Sequence, residues 1–135
     1  MQRKELSIRT GGRGLIELTR LVGEVIAQSG VGDGLCNLFV PHTSASLLLG
    51  ENYDPSVRRD LEAFMGRLVP DGDPAYEHDA EGPDDMPAHI RTALTQSSVV
   101  VPIVAGELRL GSWQGIYLWE HRMAAHERRV IVTVW

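Results

Sequence analysis

Apolar positions change period along the chain, and the changes mark out its elements. Residues 2–9, QRKELSIR, alternate and predict an opening strand. The glycines of residues 11–14 then turn the chain. Over residues 15–28, Leu18, Leu21, Val22, Val25 and Ile26 recur at helical spacing, and the glycines at 30, 32 and 34 end that helix. Residues 35–40 form a short apolar run that predicts a buried strand leading to Pro41-His42, with a second strand over 46–49. Asp54-Pro55 opens another helix, with a capping carboxylate ahead of a proline suited to the first turn. Val57, Leu61, Phe64, Met65 and Leu68 give that helix its apolar face. After the loop at 70–74, a short helix is expected from about Pro87, its inner face made by Met86, His89, Ile90, Ala93 and Leu94. From Ser97 the chain reads mostly as strand: SSVVVPIV is rich in β-branched residues, 107–110 is short and alternating, and 115–122 and 129–135 complete the set. Pro102 suggests an edge or a bulge.

This order predicts an α+β fold with a largely antiparallel sheet. At 135 residues, with no repeat and no linker, the chain is expected to form one domain over 1–135. Its net charge of -5 argues against non-specific nucleic-acid binding. No apolar run is long enough to cross a bilayer, and MQRKELSIRT has no apolar stretch like that of a signal peptide, so the expected location is cytoplasmic. The single cysteine, Cys36, sits in the apolar LCNLFV and reads as a packed thiol.

Chemistry concentrates in HDAEGPDDMPAHI, residues 78–90, and at His42, which follows a buried strand. Three imidazoles around one divalent ion, with a position left open, make a catalytic zinc arrangement. His42, His78 and His89 can supply them if they converge. The competing reading has a strand-end histidine at 42, a surface one at 78 and a core one at 89. Asp84 suits the positive end of a helix, whereas Asp85 can orient a ligating histidine. Glu81 is either a general base or a solvated side chain. GSWQG, residues 111–115, is either a tight turn or a ligand wall in which Trp113 stacks on a ring and Gln114 donates or accepts a directed hydrogen bond. Asn52 has no evident structural reason. In GIYLWEHR, Glu120 and Arg122 fall on one strand face and His121 on the other. Ser44 and Ser46, close to His42, can help hold a phosphate. Arg58, Arg59, Arg91 and Arg122 are candidate anion ligands, Arg58 and Arg59 reading also as the wet face of their helix.

Three stretches, HTSASLLLGENYDPSVRRDLEAFMGRLVP, HDAEGPDDMPAHIRTAL and GELRLGSWQGIYLWEHR, together resemble the YjbQ-like family, whose members are often labelled secondary thiamine-phosphate synthase enzymes. The resemblance runs from about Leu15 to the C-terminus. It implies an α/β sandwich with two to three helices, assembled as a homotrimer. It also implies a metal pocket built from the histidines of the HTS, H-x-x-EGPDD and PAHI motifs, here His42, His78 and His89, a set suited to zinc better than magnesium. Glu81, Asp85, Asn52, Trp113, Gln114 and Glu120 also fall on family-pattern positions. Ser112 departs from the usual GTWQG but keeps the hydroxyl. The label implies joining hydroxymethylpyrimidine diphosphate to a thiazole phosphate. The expectation is therefore a metal-dependent enzyme on a phosphorylated or heterocyclic metabolite. Glu81, Asp85 and Glu120 are its expected catalytic carboxylates, and Ser44, Asn52, Trp113, Gln114 and Arg122 are expected around the ligand. A non-catalytic trimeric metabolite-binding module and a metal-dependent hydrolase are the alternatives.

Overall fold

In the computed structural model, which describes residues 1–135, the last strand sets the frame. β8 (Glu127–Val134) turns Arg128, Val130, Val132 and Val134 inward. It pairs with β1 (Gln2–Arg9) on one side and β3 (Gly34–Phe39) on the other. β5 (Ser98–Val104) and the two-residue β6 (Glu107–Leu108) complete a five-stranded sheet in the order β1-β8-β3-β5-β6. A second sheet has the order β2-β7-β4, from β2 (Gly14–Glu17), β4 (Ala45–Glu51) and β7 (Gln114–Glu120). All neighbours are antiparallel.

The two sheets and α1 (Thr19–Ser29) close on one core of 18 buried residues. Val99, Val101 and Ile103 enter it from β5, Leu47 from β4, Ile116 and Leu118 from β7, and Val22 and Ile26 from α1. The opposite face of the three-stranded sheet is covered by α2 (Pro55–Leu68) and α3 (Asp85–Leu94), where Trp119 packs with Met65 and Val69. β7 is therefore buried on both sides, which is why GIYLW is a continuous apolar run instead of an alternating one. No helix is long and apolar enough to cross a membrane.

Four sequence expectations need correction or sharpening. Residues 15–17, assigned to the first helix, belong to β2: Leu15 and Ile16 pair with Trp119 and Leu118, so ladder formation overrides the helical spacing. On α2, Met65 is buried, but Phe64 and Leu68 are more than half exposed, one helical stripe away from the sheet. On α3 the buried positions are Asp85, Pro87, Ala88 and Arg91, while Leu94 is exposed. Two charged residues occupy the inner face, and an apolar pattern cannot see them. Pro102 sits inside β5, not in an edge strand. Its carbonyl accepts the Arg109 N–H at 2.8 Å, so its missing donor falls on the side of the short edge strand β6.

Candidate metal centre

The loop between α2 and α3 is folded by its own polar residues. Asp73 accepts the Ala75 N–H at 2.9 Å, and the Gly72 N–H reaches the Pro83 carbonyl at 3.1 Å. Gly82 stands at φ +104°, a backbone conformation that side chains strain. This closure returns His78 to the first turn of α3. Asp84 does more there than offset a helix dipole. One of its oxygens accepts Arg122 Nε at 3.0 Å and the Met123 N–H at 2.8 Å, which ties α3 to the chain leaving β7.

Asp85 is the hub of the site, with a relative exposure of 2%. Its Oδ1 lies 3.0 Å from an Arg122 guanidinium nitrogen. Its Oδ2 lies 2.6 Å from His78 Nε2 and 3.2 Å from His89 Nε2. The two imidazoles meet edge to face, ring centroids 5.2 Å apart. Burial pushes the Asp85 carboxyl up, but the His78 hydrogen bond and the Arg122 charge outweigh it, so its pKa falls below the ordinary value. Asp85 is an anion at neutral pH.

The tautomers follow from the partners. His89 Nδ1 faces the Thr43 carbonyl at 3.1 Å, and a carbonyl can only accept, so Nδ1 carries the proton. In the neutral ring Nε2 is then a lone pair aimed at the Asp85 carboxylate. Two lone pairs facing each other repel unless a second proton or a cation stands between them. A tetrahedral ion with bonds of about 2.0–2.1 Å separates its donors by roughly 3.3 Å. The His89–Asp85 spacing of 3.2 Å fits that geometry. The His78–Asp85 spacing of 2.6 Å is a hydrogen bond, and a shared ion would take the place of its proton. The three donor atoms lie within 4.8 Å of one another, so two imidazoles and one carboxylate fit a divalent cation. His78 and His89 are partly exposed, which leaves one side open. A pocket of about 320 Å³, lined by His78, Gly72, Tyr76 and Pro83, adjoins it.

The structure does not bring His42 into this group. Its Nε2 accepts the Arg129 N–H at 2.8 Å, and the neutral ring then has no free lone pair for an ion. Burial, with the positive charge of Arg128, also lowers its pKa. Thr43 turns its carbonyl to His89 while His42 turns to β8, so adjacent residues serve different clusters.

Glu120 is not free to act as a base. It is fully buried; one oxygen accepts Thr10 Oγ1 at 2.7 Å and Arg128 Nε at 2.8 Å, and the other accepts a second Arg128 nitrogen and the Arg122 N–H. Burial alone would raise its pKa, but the bonds from Arg128 and Thr10 hold it below the usual glutamate value. Ser44 belongs to the same knot, its Oγ accepting Arg128 at 2.9 Å, and so is not a phosphate ligand. Arg122 braces Asp84 and Asp85. Glu81 remains exposed beside the site, its carbonyl accepting Arg122 at 3.1 Å.

Asn52, Trp113 and Gln114 lie at the opposite end of the three-stranded sheet. In the β4–β7 ladder Glu51 pairs with Gln114 and Ala45 with Glu120. Six residues of strand separate the two ends, roughly 20 Å. Within one chain, Trp113 cannot stack on a ring held at Asp85. The turn reading of GSWQG holds instead. Gln114 Oε1 accepts the Gly111 N–H at 2.8 Å, and a side chain at Gly115 would meet Glu17 Oε2 at 2.7 Å. Asn52 donates to Glu17 and to the Gln114 carbonyl, which is its structural reason. Trp113 is exposed and packs edge-on to Tyr53.

Two buried groups escaped the sequence reading. Arg128, one residue before the strand expected over 129–135, is in phase with Val130, Val132 and Val134 and turns inward with them. His121 is fully buried, its Nε2 bonded to Ser46 at 2.8 Å. Burial and the nearby Arg91 charge push its pKa down to about 3, so it stays neutral.

A family model described as UPF0047 protein YjbQ-like matches residues 4–135. UPF0047 protein sll1880 of Synechocystis is 53% identical over 129 residues, covering 96% of this chain and 88% of that protein. UPF0047 protein YjbQ of Escherichia coli O157:H7 is 44% identical over 132 residues, covering 97% and 95%. A solved structure of an uncharacterized conserved protein of the yjbq/upf0047 family from Clostridium acetobutylicum superposes with a TM-score of 0.89 at 38% identity, covering 98% of this chain and 99% of that one.

Proposed function

The chain belongs to the YjbQ-like UPF0047 family, and from that premise we propose a metal-dependent enzyme acting on a phosphorylated or heterocyclic metabolite, with its cation held by His78, Asp85 and His89. One observation carries the reading: His89 Nε2, on a ring whose Nδ1 faces the Thr43 carbonyl, points at the Asp85 carboxylate across 3.2 Å. Two nitrogens and one oxygen with an open side match the donor pattern of catalytic zinc sites. When bound, such a cation acts as a Lewis acid on a ligand oxygen. The chain's own residues do the rest. Arg122 keeps Asp85 anionic and oriented, Thr43 fixes the His89 tautomer, and the pocket beside His78 receives the ligand. Of the three carboxylates expected to handle protons, Glu81 alone makes no side-chain bond and is left for that task.

Metal-stripped protein titrated with zinc in a calorimeter is expected to bind about one equivalent per chain, with Kd below about 1 μM. Less than about a tenth of an equivalent would remove the site. The transferase form of this reading joins hydroxymethylpyrimidine diphosphate to thiazole phosphate. It is checked in the loaded protein by product formation, and a blank there removes that form alone.

The same proposal has the protein working as a homotrimer in the cytoplasm. The outward face of the five-stranded sheet supports assembly: Leu35 and Phe39 on β3 stand beside Val100 and Val104 on β5, all 38–52% exposed. Light scattering should return three times the 14.9 kDa chain mass. A monomer at micromolar concentration would sink the trimer.

A further inference from the structure

We propose that a second groove, between the start of β2 and α2, binds the phosphate of an anionic small molecule. The inference rests on the phosphorylated-ligand reading above but on none of its metal ligands. The groove has a volume of about 450 Å³ and is lined by Arg13, Arg58, Arg59 and Glu62 over an apolar floor of Leu15 and Ala63. That volume suits a small metabolite.

The charges of the groove are not balanced by the protein. Arg13 is held by Asp71 through two bonds of 2.7 Å, with Nε donating to the His121 carbonyl at 2.8 Å. Glu62 faces Arg91, which is 1% exposed, at 3.4 Å from both oxygens, and accepts Trp119 Nε1 at 3.3 Å. Both nearby carboxylates are thus already engaged. Arg58 and Arg59 have no acid of their own. Three arginines line the groove with one carboxylate, Glu62, on a chain whose net charge is -5. Behind the groove, buried Arg91 still has an unpartnered Nε–H.

A solvated helix face would not show this order. Arg58 donates to the Tyr117 hydroxyl at 3.0 Å, and its guanidinium lies 5.7 Å from that ring's centroid, so it is fixed before any ligand arrives. Arg13 is fixed from the other wall. Each keeps N–H groups unused, and Arg59 at the rim makes no bond at all. Planar donors fixed on two walls of one groove suit a tetrahedral oxyanion. In sequence Arg58 and Arg59 read either as anion ligands or as a wet helix face, because Arg13 lies 45 residues earlier and only the fold brings it opposite them.

The test uses metal-stripped protein, so that phosphate bound to an ion does not count. Inorganic phosphate and pyrophosphate are titrated calorimetrically, with arginine Nε resonances followed by NMR. Pyrophosphate is expected to bind more tightly than phosphate, to shift Arg13, Arg58 and Arg59, and to weaken as salt rises. Arg58→Ala with Arg59→Ala should weaken it at least about tenfold. Arg59→Ala alone, exposed and without structural bonds, should weaken it about threefold with an unchanged melting temperature. Pyrophosphate binding that ignores these substitutions, or none at all, overturns the groove. Binding that needs zinc and vanishes in Asp85→Asn overturns it too, while leaving the metal reading in place.

Discussion

Asp85→Asn will lower zinc affinity by at least about a hundredfold and leave the chain folded, because groups one shell further out already cost 10–100-fold when changed. The asparagine keeps the shape of the carboxylate but inverts one of its oxygens into a donor. That amide can donate to His89 Nε2, which satisfies the lone pair and closes the position an ion would take. Arg122 loses one partner and keeps Asp84 at 3.0 Å, so the cost in stability should stay within about 2 kcal/mol. The informative companion is His42→Ala. If the donors are His78, Asp85 and His89, removing His42 changes zinc affinity by less than about tenfold. Equal losses in both variants would sink the two-histidine, one-carboxylate site and restore a set that includes His42. Calorimetric titration of both, beside the parent protein, settles the choice.

The contrast between His42 and Asp85 shows where residue types stop being enough. β5 and β8 were legible because both are rich in β-branched residues, and the α2 start because Asp54 caps Ser56 as its type predicts. His78 and His89 were legible as a pair. The separation of His42 from them was not, because the direction of His42 depends on its Nε2 meeting the Arg129 N–H, a partner 87 residues away. Asp85 reads as a support for a histidine or as a catalytic carboxylate, since nothing local says that one of its oxygens will stand between two rings. The inner face of α3 failed for a related reason. Asp85 and Arg91 are buried by ion pairs with Arg122 and Glu62, which lie on other elements. Apolar periodicity finds helix faces that bury hydrocarbon, and this one buries charge. GSWQG, Asn52 and Gln114 looked chemical because polar groups in a tight turn and polar groups at a ligand have the same composition. Only the Gly111 N–H and the crowded space at Gly115 separate them.

Glu120→Ala will destabilise the fold by about 3–5 kcal/mol, the range for leaving a buried charge unpaired. That is a large share of the roughly 5–15 kcal/mol that holds a domain together. Arg128 would keep only Ser44 as a partner in a region sealed by β1, β4 and β8. The alanine variant can fail to fold, so Glu120→Gln carries the quantitative test. It retains the volume and some hydrogen bonding but gives up the charge, and about 2 kcal/mol is expected. The pH dependence has a definite sign. Bonds from Arg128 and Thr10 overcome burial and depress the folded pKa of Glu120. Its contribution is therefore complete above the unfolded glutamate value of about 4.3 and drains away as pH falls toward the lower folded value. Urea midpoints of parent and Glu120→Gln should differ fully at pH 7 and converge below about pH 4. Zinc affinity of the same variant should change by less than about tenfold, because Glu120 reaches the site only through the Arg122 backbone. A variant of unchanged stability and lost turnover would instead return Glu120 to the role of a base. The buried pair with Arg128 makes the opposite result the expected one: stability falls, and the metal centre stays assembled.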